Sequence, residues 1–306
     1  MLSVCIPVYR YDVRPLVAEL LRQLAAARAE TAVDTDGAEI LVYDDASPAD
    51  GDWGRAELRQ TPGISYVELG QNLGRAAIRN KMAREAANEY VVMMDADGWP
   101  NPDFLHRYFF EAEDIERNFG RSSTAVLVTG GRVYAAAPPA DKRLHLHWWY
   151  GTKRESRSVA RREADGWLGF QSNNFMVTRK LLLEHPFPAD FSGYGHEDTV
   201  WGQQFVSRNV VLYHEDNTVV HLGLEPNDVF LRKQREAVVN LQLLKKQSPH
   251  LRTRLIDLAE SLPPTLTLAR MVPERALLRH LTHGKKPNLY ALDLLKLRWW
   301  VENTKC

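Results

Sequence analysis

The amino-acid sequence predicts an α/β protein with a mostly parallel central sheet flanked by helices, followed by a C-terminal helical extension. Short apolar runs rich in β-branched residues alternate with segments of helical periodicity, which is typical of such a sheet. Acidic clusters directly follow two of these runs, and open parallel sheets bind ligands at the carboxyl ends of their strands. After residue 225 one helical segment follows another, separated by prolines. We therefore predict two domains, residues 1–224 and 225–306.

Composition excludes several classes of protein. With 44% hydrophobic and 25% charged residues, the chain is typical of a globular protein. The 39 basic and 39 acidic side chains cancel, which argues against a nucleic-acid partner. Cys5 and Cys306 lie at opposite ends of the chain, so we expect a reducing compartment and no disulfide framework. No apolar run reaches the length of a membrane span, and the N-terminus reads as a strand rather than a signal peptide, so we expect a cytoplasmic protein.

The order of the elements follows from the spacing of apolar residues. Strands are predicted at residues 2–8, 39–43, 64–68, 90–94, 125–129, 132–137, 170–178 and 218–221. A helix is predicted after Asp12, which can cap it, and further helices at residues 74–88, 101–118 and 197–207. Residues 138–165 form a long polar stretch that contains Trp148 and Trp149, and we interpret it as a lid or binding loop.

The strongest candidate site is the pair Asp95 and Asp97, at the end of the predicted strand 90–94. Two carboxylates separated by one residue repel each other, and a divalent cation bound to their oxygens removes that cost. Hard oxygen ligands suit Mg²⁺ or Mn²⁺. The alternative is a solvated turn, because Asp and the following Gly98 favour turns.

Three further groups allow both a chemical and a structural interpretation. Asp45, next to Asp44, follows a predicted strand and could bind a base or ribose, or cap the next helix. Glu197 and Asp198 begin a predicted helix, where they could stabilise its start or supply a general base. His221 ends a short apolar run and is either a structural residue or a metal ligand.

The order of these segments resembles glycosyltransferase family 2. The resemblance is carried by residues 3–9 (SVCIPVY), 44–47 (DDAS), 72–80 (NLGRAAIRN), 94–97 (MDAD) and 193–198 (GYGHED). Each motif is weak alone, but their succession across roughly residues 2–222 is specific. The resemblance implies the GT-A fold, which is Rossmann-like, and an inverting reaction.

For the donor, the resemblance implies that Pro7 and Tyr9 line the nucleotide pocket and that Asp45 binds the uracil edge of a UDP-sugar. Arg79 would lie near the nucleotide or its diphosphate, and Asp95 would contact the ribose or the metal.

For the reaction, the resemblance implies that Asp97 binds Mn²⁺ or Mg²⁺ on the diphosphate and that His221 completes the metal site. Asp198 would be the catalytic base, with Glu197 touching the acceptor or the donor sugar. Two residues that border the implied donor pocket depart from the family pattern: Ala46 stands where glycine is common, and Arg10 where asparagine is common. Asn209 also stands where glycine is frequent, at the predicted end of a helix.

The implied function is transfer of a hexosyl or N-acetylhexosaminyl group from a nucleotide diphosphate to a hydroxyl of a saccharide or lipid-linked acceptor, in surface polysaccharide or glycoconjugate synthesis. One alternative, a sugar nucleotidyltransferase, would need a Gly-rich basic loop after the first strand, where this chain has PVYRY. The other, a non-catalytic nucleotide-sugar-binding subunit, is disfavoured because Asp95, Asp97 and Asp198 are all present.

The last predicted helix allows two interpretations. Leu289, Leu292, Leu295 and Trp299 share one face, and Lys285, Lys286, Lys296 and Arg298 lie nearby. Such a basic, tryptophan-containing helix could rest on the inner face of an anionic membrane. The alternative is a helix whose apolar face packs on the protein.

Overall fold

The computed structural model describes residues 2–30, 33–120, 126–189, 195–261, 266, 269–283 and 287–303. Met1, Ala125, Gly193, Tyr194, Lys285, Lys286 and Cys306, which appear in the sequence predictions, lie outside these residues. The chain forms two compact units. The first unit comprises Met1–Val133, Arg157–Asp190 and Gln204–Gly223, and the second unit comprises Tyr134–Ser156, Phe191–Gln203 and Leu224–Cys306. Tyr134–Ser156 and Phe191–Gln203 belong to the second unit, although both lie within the predicted domain 1–224, and the division into residues 1–224 and 225–306 stays a prediction.

The first unit is built on a seven-stranded sheet with the order β3-β2-β1-β4-β8-β6-β9. Its strands are β1 (Leu2–Val8), β2 (Glu39–Asp44), β3 (Ser65–Glu68), β4 (Tyr90–Met94), β6 (Val126–Thr129), β8 (Asn174–Thr178) and β9 (Val211–His214). The first four in this order are parallel, whereas β8 runs antiparallel between β4 and β6. The predicted α/β class and mostly parallel sheet are therefore confirmed.

A second, three-stranded sheet brings one side of the candidate site together. It has the order β5-β10-β7, formed by β5 (Gly98–Pro100), β7 (Arg132–Val133) and β10 (Val219–His221). In this sheet His221 pairs with Gly98, the residue directly after Asp97. The predicted strand 132–137 is thus only two residues long, and β9 was not predicted at all.

Helices cover both faces of the large sheet, as a parallel sheet requires. The helices of the first unit are α1 (Arg14–Ala29), α2 (Arg55–Gln60), α3 (Arg75–Glu85), α4 (Phe104–Phe119), α6 (Val159–Asp165) and α7 (Arg179–Glu184). The main core joins α1 and α4 to one face of the sheet through Leu20, Tyr108, Ile6 and Val92, all buried. Helix α3 packs on β1, β2 and α7.

The predicted loop at residues 138–165 is mostly helical. It contains a 3₁₀ turn (Lys142–Leu144), α5 (His145–Tyr150), a π turn (Gly151–Glu155) and α6. The loop prediction was wrong because it rested on the polar character of the stretch, and polar residues can be buried in helices when they are paired. Arg162 is 2% exposed, and its guanidinium donates to the main-chain oxygens of Thr129, Gly130 and Glu215.

The second unit is helical, and the predicted C-terminal helical region is present. Its helices are α5, α8 (Glu197–Gln203), α9 (Asn227–Gln247), α10 (Arg254–Ser261), α11 (Glu274–His283) and α12 (Leu289–Asn303). Leu289, Leu292, Leu295 and Trp299 of α12 are buried in a core shared with α5, α9 and α11. The apolar face on which the membrane prediction rested is therefore covered by protein. Within the described ranges no helix is long and apolar enough to cross a membrane.

Candidate active site

The carboxyl ends of β1, β2 and β4 meet at one edge of the sheet because these strands are parallel and in register. Asp45 follows β2 and Asp95 follows β4. Strand β8 runs the other way and begins at the same edge, since Asn174 pairs with Met94. The fold therefore brings the predicted acidic clusters to neighbouring positions, where open α/β sheets bind ligands.

Asp95 lies between two arginines. Its Oδ1 atom is 2.8 Å from Arg79 Nη2, and its Oδ2 atom is 3.2 Å from Arg132 Nη2. Arg79 is 3% exposed, and its guanidinium lies 5.7 Å from the centre of the Phe187 ring. The side chain of Asp95 keeps 23% of its surface exposed. Guanidinium groups bind phosphate oxygens as well as carboxylates, so Arg79 and Arg132 suit an anionic ligand such as a diphosphate.

Asp97 is paired with His221, at 3.3 Å between Oδ1 and Nδ1. Burial raises the pKa of Asp97, but the hydrogen bond and charge of His221, together with the charges of Arg132 and Arg75, lower it to about 2. The carboxylate is therefore ionised at neutral pH. The main-chain N–H of Leu222 also donates to the Asp97 carbonyl oxygen, at 2.8 Å.

Gly223 lets the backbone approach Asp97 closely. A Cβ atom at this position would overlap Asp97 Oδ2. Any larger residue must therefore displace the carboxylate or the turn after β10. The only sign of this role in the sequence is a glycine two residues after the predicted ligand His221, which is too weak to predict it.

The residues around Asp97 fit a divalent cation that is shared with a phosphorylated ligand. Among the described residues no group of three or more His, Cys, Asp or Glu side chains could hold a metal ion alone. Asp97 and His221 supply two ligand groups side by side. Mg²⁺-type sites commonly use one or two protein carboxylates plus substrate phosphates, with water completing the shell. This donor set matches that class rather than a site built entirely from protein.

The carboxylates of Asp44 and Asp45 accept hydrogen bonds from nearby groups of the protein. The Asp45 carboxylate accepts hydrogen bonds from the main-chain N–H groups of Leu73 (2.7 Å) and Gly74 (2.9 Å), just before α3. Asp44 accepts from the N–H of Ser47 (2.7 Å) and from Arg55 Nε (3.0 Å). Asp45 thus holds the turn that starts α3, and its contact with a nucleotide base stays a prediction.

The two departures at the implied donor pocket both fall at left-handed backbone positions. Ala46 has φ 57° and Arg10 has φ 53°. Glycine and asparagine are the residues that adopt this conformation most readily, which explains why they are common there. The Arg10 turn is held by its N–H, which donates to Ser47 Oγ at 2.8 Å.

Pro7 and Tyr9 lie at the end of β1. Pairing of β1 with β4 ends at Cys5, so Pro7 has a neighbouring strand only on the β2 side, where it pairs with Tyr43. Tyr9 is 49% exposed, with the Arg10 guanidinium 5.6 Å from its ring centre. An exposed aromatic ring at the strand edge is suited to stacking on a base.

Glu197 and Asp198 form the first turn of α8 in the second unit. The preceding Gly195 and His196 both have positive φ, at 95° and 72°. Asp198 Oδ1 accepts from the N–H of Thr199 at 2.7 Å, which fixes its rotamer. Burial and the charge of Lys296 lower the pKa of His196 to about 4, against the opposing effect of the Glu197 charge. The imidazole is thus neutral at pH 7.

Comparison with known proteins decides the family. The model of glycosyl transferase family 2 matches residues 3–183, more than half of the chain. The chain belongs to glycosyl transferase family 2. A comparison with curated protein sequences finds no significant match.

Two solved structures show how far the family fold extends. A mannosyltransferase from Pyrobaculum calidifontis, in complex with GDP-Man and Mn²⁺, is 20% identical with a TM-score of 0.58, covering 99% of this chain and 86% of its own. A glucosyl-3-phosphoglycerate synthase from Mycobacterium tuberculosis, in complex with Mg²⁺ and UDP, is 17% identical with a TM-score of 0.50, covering 79% of this chain and 78% of its own. Both are glycosyltransferases, and the likeness confirms the predicted GT-A fold.

Proposed function

We propose that this chain is an inverting, metal-dependent glycosyltransferase that moves a sugar from a nucleoside diphosphate, UDP in the first instance, to an acceptor hydroxyl. One observation carries the proposal: the ionised Asp97 with His221 lies beside Asp95 and its two arginines at the carboxyl edge of a family 2 sheet. The donor set matches a cation that is bridged to phosphate oxygens. The two similar structures, with GDP-Man and Mn²⁺ and with UDP and Mg²⁺, support a diphosphate and a divalent cation and differ in the base.

In the proposed reaction the acceptor oxygen attacks the anomeric carbon from the face opposite the diphosphate. Asp198 takes the acceptor proton as the new C–O bond forms. The bond to the diphosphate breaks, and its electron pair leaves with the phosphate oxygen. When bound, the cation neutralises negative charge on the diphosphate. Arg79 and Arg132 add positive charge at the same place, while Asp97 and His221 would hold the cation.

Metal-dependent nucleotide binding tests the proposal directly. We expect UDP or GDP to raise the melting temperature only when Mn²⁺ is present, because the cation bridges Asp97 and the diphosphate. UDP-glucose or GDP-mannose should then release a nucleoside diphosphate. Release of pyrophosphate from a nucleoside triphosphate and a sugar phosphate would instead indicate a nucleotidyltransferase. Equal stabilisation with and without metal would contradict the proposal.

Asp198→Asn separates chemistry from donor binding. We expect turnover to fall by roughly 10²–10⁴-fold, the range for a positioned general base. Donor affinity, measured by calorimetry with Mn²⁺, should stay within about twofold because the base contacts the acceptor. A parallel loss of donor affinity would place Asp198 on the donor instead.

The transferred group, hexosyl or N-acetylhexosaminyl, and a saccharide or lipid-linked acceptor in surface polysaccharide or glycoconjugate synthesis belong to the same proposal. They rest on the family resemblance. A cytoplasmic location with peripheral membrane contact would need a surface other than the apolar face of α12, whose side chains are buried. Flotation of the full-length protein with anionic vesicles, compared with neutral vesicles, tests that contact, and equal behaviour with both would contradict it.

A further inference from the structure

Asn173 is a buried amide without a hydrogen bond. Its residue surface is 3% exposed, and within the described part of the chain neither Oδ1 nor Nδ2 has a partner. In Asn174, the next residue, both polar atoms of the side chain are hydrogen-bonded. Its Oδ1 accepts from the Tyr108 hydroxyl (2.5 Å), and its Nδ2 donates to the carbonyl oxygens of Asn217 (2.7 Å) and Gly131 (3.2 Å). Buried polar groups are almost always paired, so the unpaired amide of Asn173 calls for a ligand.

The amide lies on the same side of the sheet as Arg79. Strand β8 begins at Asn174, whose side chain faces Tyr108 and the main core. Main-chain pairing with the β4 side continues to Asn173, so the alternation of side chains places Asn173 on the face of Phe175. The Phe175 ring is 6.1 Å from that of Phe187, over which Arg79 lies.

Main-chain pairing places Asn173 directly beside the acidic site. The carbonyl oxygen of Asn173 accepts from the N–H of Asp95 at 3.0 Å. The free amide is therefore next to the Asp95–Arg79 ion pair, at the edge where the diphosphate is proposed to bind.

The strand order indicates which part of a donor would reach Asn173. Pro7 and Tyr9 lie at the end of β1, and Asp45 follows β2. The carboxylates of the proposed metal site follow β4, and Asn173 precedes β8, the next strand across. Adjacent strands are about 4.8 Å apart. A donor with its base at β1 and β2 and its diphosphate at β4 would have its sugar at β8.

We propose that Asn173 binds the transferred sugar of the donor, its carboxamide pairing with sugar hydroxyl groups. An amide offers one acceptor and two donor hydrogens, which matches adjacent hydroxyls, each of which can donate and accept. A site built to hydrogen-bond a hydroxyl discriminates strongly against analogues that lack it, which makes Asn173 a specificity-determining residue. The assignment rests on the proposed function.

Asn173→Leu tests the assignment, with Asn174→Leu as the matched control. The melting temperature of the free protein should stay at or above the wild-type value for Asn173→Leu, because no hydrogen bond is lost, and should fall clearly for Asn174→Leu. With Mn²⁺, the Kd for UDP or GDP should stay within about twofold. The Kd for the matching UDP-glucose or GDP-mannose should rise by roughly tenfold or more, the value of a lost buried hydrogen bond. Asn173→Ala, which cannot create a clash, should likewise weaken binding of the nucleotide sugar and leave binding of the nucleoside diphosphate unchanged.

Three results would overturn it. These are a marked loss of stability in both Asn173 variants, equal weakening of nucleoside diphosphate and nucleotide sugar, or unchanged nucleotide-sugar affinity. If the wild-type protein binds neither nucleotide sugar, the proposed function fails and this assignment fails with it. If the wild type binds a nucleotide sugar and the Asn173 variants bind it equally tightly, only the assignment of Asn173 is wrong.

Discussion

Two acidic pairs lie at the carboxyl ends of β2 and β4, the strands on either side of β1, yet they have different partners. Asp44 and Asp45 are 1% and 4% exposed. Main-chain N–H groups occupy both oxygens of Asp45 and one oxygen of Asp44, whose other oxygen accepts from Arg55. The side chains of Asp95 and Asp97 are 23% and 28% exposed and contact guanidinium and imidazole side chains rather than main-chain N–H groups. A carboxylate bound by main-chain amides organises the fold, whereas one held by side chains at an open edge can exchange partners with a ligand. Substitutions at the two pairs should therefore separate stability from metal-dependent activity.

The largest effect is expected for Asp97→Asn. Losing the charged oxygen next to His221 should lower kcat/KM by about 100-fold or more, because metal stabilisation of the leaving group is worth several kcal/mol. Titration with Mn²⁺ should show that the variant needs a higher Mn²⁺ concentration for half of its maximal activity. Asp36→Asn, on the exposed surface, is the matched control. If activity and its Mn²⁺ dependence are unchanged in Asp97→Asn, Asp95 and Asp97 do not form the metal site.

Asp45→Asn should act mainly on stability. An amide oxygen can replace the carboxylate toward only one of the two N–H groups of Leu73 and Gly74, and the other loses its partner. We expect a loss of about 2 kcal/mol in the free energy of unfolding. Urea denaturation measures it, and Asp95→Asn should lose less because that side chain reaches solvent. Equal losses for the two variants would remove the distinction between the pairs.

Gly223→Ala should disturb the metal site without touching a ligand. Its Cβ would push against Asp97 Oδ2, so the apparent Mn²⁺ affinity should fall by roughly tenfold, about 1.4 kcal/mol. Gly70→Ala is the control, since a Cβ there meets no atom within 4 Å. Unchanged Mn²⁺ affinity in Gly223→Ala would show that the Asp97 carboxylate does not need its present position.

Ala46→Gly, between the structural pair and Ser47, should have the smallest effect and the opposite sign. Relief of the left-handed conformation should stabilise the protein by about 0.5–1 kcal/mol. Ala25→Gly, at an exposed position inside α1, should destabilise it by about 1 kcal/mol. Thermal unfolding of the two variants compares the same substitution in two backbone conformations. A loss of stability at position 46 would mean that the turn tolerates alanine without strain.

The sequence predicted most strands of the first unit because their apolar runs are buried on both faces and leave a local signal. It failed for residues 138–165, where the buried guanidinium of Arg162 is indistinguishable in sequence from a solvated one. It also missed Arg132 and Asn173. Neither belongs to a local motif, and each acquires meaning only from the neighbour that β-sheet pairing supplies.

The sequence by itself determined the fold class, the family and the two acidic pairs, because alternation, periodicity and motif order are properties of neighbouring residues. Only the tertiary structure decided which pair is held by main-chain amides and Arg55 and which by Arg79, Arg132 and His221. That difference depends on contacts between residues far apart in the chain. The partners of a carboxylate set its charge and availability, and they exist only once the strands have paired.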